Sequence, residues 1–234
     1  MNSVVNAFIY NVRRFRNSYF IFSAIFLGIL IFVKIIGLLF INGTQGNNVY
    51  DMVFLIYTFV YFIAIFKESY NHLAISGVTR KTFFISNIIS IIFAAIVMEI
   101  TAVIFIAFTR LLGMRTELIL EMIFNRSSNF ELFLLGFSFT VLASFVGWLF
   151  SLLTYRYGNL MILVIIFVPQ ILMTIIGAII DYYGKTQSFY YYLSYYFGFA
   201  EGMTPYNTIL NMLLTAAAVG AVNWLLMRRL PVRV

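Results

Sequence analysis

"FFISNIISIIFAAIVMEITAVIFIAF", residues 83–108, carries one charged side chain, Glu99, in 26 positions. At about 1.5 Å per residue, a helix of this length crosses the roughly 30 Å hydrocarbon core of a bilayer. A soluble globule would have to hide such a run under polar surface, and the chain has little to offer. Of its 234 residues 63% are hydrophobic, 19% aromatic and only 10% charged, with a mean hydropathy of +0.99. Further apolar runs lie at about 19–41, 50–66, 132–154, 160–180 and 207–227. The pattern predicts an all-α polytopic membrane protein, a single domain over residues 1–234 with six transmembrane helices. The connections left over are too short for a soluble catalytic domain.

Working outward, residues 1–17 place Val4, Val5, Phe8, Ile9 and Val12 at helical spacing, followed by Arg13, Arg14 and Arg16. This is the pattern of an amphipathic helix lying in the headgroup layer before the chain turns inward. No small-residue cleavage site follows the first apolar run, so the segment reads as retained. The net charge of +7 matters through its distribution rather than its sum. With the amino terminus in the cytoplasm, Arg13, Arg14, Arg16, Lys67, Arg80, Lys81, Arg156, Arg228, Arg229 and Arg233 are inside. Arg110, Arg115, Arg126 and Lys185 are then outside. This bias predicts both termini on the cytoplasmic side of the membrane. Three of the outside cations fall in the loop after the third span, where "TELILEMIF" (116–124) reads as a short helix lying on the outer surface.

Several chemistries are disfavoured. Cysteine is absent, which removes disulfides and thiolate metal sites. The one histidine, His72, falls in a cytoplasmic loop, so a serine–histidine hydrolase or a histidine-ligated zinc site is not expected. "GKT" at 184–186 lacks the upstream glycine of a phosphate loop, Ile179 standing in its place. "NGT" at Asn42 and "NRS" at Asn125 match a glycosylation triplet that arises often by chance. The expectation is a chain that is not itself an enzyme, binds no cofactor or metal and no nucleic acid, and sits in lipid.

Between spans two and three lies "KESYNHLAISGVTRKTFF", residues 67–84, a polar island with charge at both ends. "KESYNHLAI" can continue the second helix beyond the membrane with Tyr70, Leu73 and Ala74 on one face. Gly77 then allows a left-handed turn, and Thr79 can cap the next helix. A plain reconnecting loop needs fewer residues, and a projecting surface for a cytoplasmic partner is the alternative to it. The amino-terminal helix, six spans, the "LAISGVTRKTFF" turn, an aromatic-rich outer segment before span six and a basic tail together resemble type 2 ABC exporter permeases. The chain is most similar in layout to the short permeases of peptide and bacteriocin exporters.

The resemblance implies a coupling helix, and by position that role falls on Ser69, Tyr70, Asn71, His72, Leu73, Ala74, Ile75, Ser76 and Gly77. It further implies two cytoplasmic ATP-binding subunits that hold ATP and Mg, and a second permease, identical or related. The cargo would be amphipathic, an antimicrobial or toxic peptide or a lipid-like molecule, moved out by alternating access. Two other readings remain open: the substrate-capturing membrane subunit of a vitamin importer, and a non-transporting immunity or sensor protein.

Residues 181–206, rich in tyrosine and phenylalanine, fit an interfacial aromatic belt or, by the resemblance, re-entrant helices roofing a cavity. Ala143 with Gly147, Ala216 with Gly220 and Ala217 with Ala221 are small-residue pairs suited to close helix contact, including contact with a second copy. Pro169 marks a kink in span five. Two charges remain inside spans, Lys34 and Glu99. Counted from the inner ends at Tyr19 and Phe83, they lie at matching depth, about 23 Å up, and are expected to meet unless Lys34 snorkels outward.

Overall fold

The structure, a computed structural model, describes residues 3–40, 51–111, 128–158, 161, 174–175 and 205–230, with 33, 34, 36–40 and 51 as backbone only. Five long helices account for nearly all of them: α1 (Ser3–Phe40), α2 (Asp51–Ile75), α3 (Arg80–Leu111), α4 (Asn129–Tyr157) and α5 (Pro205–Met227). Each is long and apolar enough to cross a membrane. No strand occurs among the described residues. The expected span at 160–180, apart from residues 161 and 174–175, the outer helix at 116–124 and the aromatic segment up to 204 lie outside the described residues.

The local chemistry of the helix ends explains where they stop. α4 starts with a capping box, Ser128 Oγ accepting from the Glu131 amide at 3.3 Å and Glu131 Oε2 accepting from the Ser128 amide at 2.8 Å. It ends at Gly158, whose φ of +89° suits only glycine.

The helices associate through aromatic contacts and close backbone approaches, as they must where lipid removes the usual hydrophobic drive between helices. α2 against α4 is the most extensive contact, followed by α4 against α5. α4 seats itself on the backbone of α2. Gly147 lies against the Phe59 carbonyl, Ser151 Oγ donates to the Ile63 carbonyl at 2.6 Å, and Tyr155 Oη donates to Asn71 Oδ1 at 2.9 Å. On its other side, Asn223 Nδ2 of α5 donates to the Phe145 carbonyl at 3.0 Å, and Gly220 makes room for the Phe145 ring. Gly147, Gly220 and the buried Ala216 thus serve packing within the chain rather than contact with a second copy; Ala217 and Ala221 stay exposed.

These pairings also set direction. α2 and α3 are antiparallel, Phe66 meeting Phe83 and Phe54 meeting Phe105. α4 runs parallel to α2. α5 runs parallel to α4, since Gly220 meets Phe145 while Tyr206 and Glu131 are hydrogen-bonded. Ser3, Ile75, Arg80, Tyr157 and Met227 therefore share one end of the bundle. That end carries Arg13, Arg14, Arg16, Lys67, Arg80, Lys81, Arg156, Arg228 and Arg229; among the described cationic side chains only Arg110 sits at the other. The chain leaves α4 at the cation-rich end and enters α5 at the opposite one.

One expectation is corrected. No turn separates the expected helix over 1–17 from the first span: α1 is continuous over 38 residues from Ser3, about 57 Å of helix. Its first half stands beside α2 and α3 instead of lying apart. Ala7, Asn11 and Phe15 form its buried stripe, with Phe15 against Tyr61 and Phe93, while Val5 and Ile9, read as part of a membrane-facing stripe, are exposed. Nothing between Arg16 and Tyr19 breaks a helix, so the packing of the aromatic stripe carries it through.

Candidate functional site

The first candidate is the end of α2 and the turn into α3. α2 runs to Ile75 without a break and closes with a Schellman turn, Val78 N–H bonding the Leu73 carbonyl at 3.0 Å and Gly77 N–H the Ala74 carbonyl at 3.1 Å. Gly77 has φ +78°. Thr79 Oγ1 then accepts from the Thr82 amide at 3.2 Å and caps α3. The glycine turn and the threonine cap are as the spacing predicted.

Residues 69–77 do not form a separate helix set at its own angle. Residues 69–75 are the last turns of α2 and 76–77 the turn that follows, and the face holding Ser69, Tyr70 and Leu73 is turned inward. Tyr70 and Leu73 are buried, Tyr70 packing edge-on against Phe83 and Tyr155. Exposed instead are Lys67, Glu68, His72, Ile75, Ser76 and Gly77, with Ile75 at 68% relative exposure; Asn71 and Ala74 are intermediate.

α1 braces this extension through contacts that spacing alone did not reveal. Tyr10 stacks on His72 with ring centroids 4.7 Å apart and planes 14° from parallel. One turn along, Arg14 forms an ion pair with Glu68 and stands 5.7 Å over the Tyr10 ring. The spacing of four on both helices, 10 and 14 against 68 and 72, is the signal in retrospect. It becomes readable only once α1 is known to lie antiparallel to α2.

The second candidate is Glu99, half-buried on α3. Thr140 Oγ1 of α4 donates to Glu99 Oε1 at 2.9 Å, and the missing side chain of Gly136, one turn away, leaves the space the carboxylate fills. A charge at membrane depth costs about 3 kcal/mol on insertion scales, so a hydrogen bond and a fitted recess are what such a group needs. Lys34 is not at this level. Tyr19 Oη bonds Thr101 Oγ1 at 2.8 Å and Phe26 meets Phe105, a register that sets the Lys34 backbone about 20 Å further along the bundle than Glu99. The two backbones thus stand at different heights; the expected pairing involves the Lys34 side chain, which lies outside the described residues.

No three metal-ligating side chains come together among the described residues. Compared with protein-family models, curated proteins and solved structures, the chain finds no match in any of the three.

Proposed function

We propose that the chain is the transmembrane subunit of an ATP-driven exporter that carries an amphipathic molecule outward, with ATP and Mg bound by two separate cytoplasmic subunits. The observation that supports this reading is the end of α2. It is a rigid continuation of a membrane helix, locked by a glycine turn, braced by α1 and tipped by the exposed Ile75. A lever of this kind transmits displacement from a soluble partner into the bundle, and a connecting loop has no need of it. Residues 159–204 make one further crossing in this reading, for six spans with both termini in the cytoplasm, and a second permease completes the pathway.

The partner's contacts fall on His72, Ile75, Ser76 and Gly77 rather than on Leu73. Affinity purification of the tagged chain from its own cells tests the assignment. Recovery of an ATPase in a two-plus-two complex, released by Ile75→Asp with the thermal midpoint of the membrane subunit unchanged, is the expected result. Recovery of the chain alone, with a ligand bound to a single copy, would favour a capture or sensor protein.

A further inference from the structure

We propose that the junction of α3 and α5 at the cation-rich end is a binding site for the phosphate of an anionic phospholipid. Arg80 opens α3 and Arg228 follows α5. Arg80 Nη1 donates to the Arg228 carbonyl at 2.6 Å, which ties the two helix ends together, and Lys81 and Arg229 are the next residues in the chain. All four side chains are exposed. Among the described residues no carboxylate offsets them: Glu68 is engaged by Arg14, Glu99 lies about five turns along α3 from Arg80 and bonds Thr140, and Glu131 lies in the first turn of α4 at the other end.

Four cations at two joined helix ends raise the local positive potential, which favours an anion there, and a guanidinium fork suits a phosphate. The site is backed by well-packed ground. Met227 and Leu230 on either side of Arg228 and Arg229 are fully buried, so the cations are presented from a fixed end rather than a frayed one.

The surroundings identify the phosphate as a lipid's. Lys81 heads an exposed helical stripe of Ile85, Ile89 and Ile92, and Arg229 heads another of Leu225 and Val222. Each gives an acyl chain an apolar track leading away from the charge. One turn inside, Trp224 packs on Phe84 with centroids 4.9 Å apart, an aromatic pair at the level where headgroup meets chain. Juxtamembrane cations contribute about 1 kcal/mol each toward an anionic leaflet, so two removed together weaken binding by about thirtyfold.

The purified full chain in neutral detergent is unfolded thermally while phosphatidylglycerol, phosphatidylcholine of the same acyl chains, or inorganic phosphate is titrated in. Phosphatidylglycerol should raise the midpoint saturably where the other two do not. The pair Lys81→Gln with Arg229→Gln should weaken that response about thirtyfold with the lipid-free midpoint unchanged. Arg80→Gln should lose the lipid response and also lower the lipid-free midpoint, since its bond to Arg228 is structural, and Lys67→Gln should change neither. Equal protection by inorganic phosphate would make this a general anion site, and equal protection by phosphatidylcholine, or an unaltered response in the Lys81/Arg229 pair, would leave no site at all.

Discussion

Two glycines on α4 show how differently the same added methyl is resisted. A Cβ at Gly136 would strike the end of the Glu99 side chain, whereas one at Gly147 would come within 2.5 Å of the Phe59 carbonyl oxygen. A flexible carboxylate can swing aside; a helix backbone moves only if α2 and α4 part. Gly136→Ala should therefore cost about 1–3 kcal/mol and Gly147→Ala more, read as thermal midpoints in detergent. Glu99→Ala should largely relieve the Gly136→Ala defect, because the clash is with that side chain. If the two defects simply add in a double-mutant cycle, Gly136 is not there to seat the carboxylate. The polar contacts between helices are smaller matters. Ser151→Ala removes one bond to the Ile63 carbonyl, and its expected cost is about 0.6 kcal/mol, the average for such bonds in a bilayer.

Across the elements, the end of α2 divides into two faces with opposite predicted behaviour. Leu73→Asp puts a carboxylate among Tyr70, Phe83 and their neighbours and should lower the thermal midpoint of the isolated membrane protein, whatever its partners. Ile75→Asp should leave that midpoint within error. Similar losses from both substitutions would mean that the tip is packed rather than presented. This division also marks what could be read from the amino acids. Gly77 and Thr79 announce a turn and a cap because their roles depend on backbone conformation within a few residues. The long apolar runs announce helices because length and composition suffice. Which helix lies beside which is a different kind of information, carried by side-chain fit between distant segments. Tyr19 opposite Thr101 and Phe26 opposite Phe105 settle the height of α1, so measuring depth for Lys34 from its first apolar residue misplaces it relative to Glu99. The same gap explains Gly147 and Gly220, whose spacing advertises a close contact without saying that the partner is a neighbouring helix of the same chain.

For the molecule as a whole, the absence of cysteine from the sequence makes sidedness measurable with single introduced thiols. Ser76 and Asn129 are exposed at opposite ends of the bundle. With the cation-rich Ser76 end in the cytoplasm, as proposed from the positive-inside bias, an impermeant thiol reagent in whole cells should label Asn129→Cys and spare Ser76→Cys until the membrane is permeabilised. The reverse pattern would invert the orientation. The seating of α4 on α2, two helices separated in the chain by α3, bears on the order of assembly during synthesis. α1, α2 and α3 follow one another antiparallel and can pair as each leaves the insertion machinery, but the Phe59 and Ile63 carbonyls keep an open face until α4 arrives. A nascent chain halted after Leu111 should therefore remain sensitive to protease and recruit membrane chaperones, and one halted after Tyr157 should be abruptly protected. That result would make the arrival of α4, rather than of α5, the step at which the growing chain becomes a folded body.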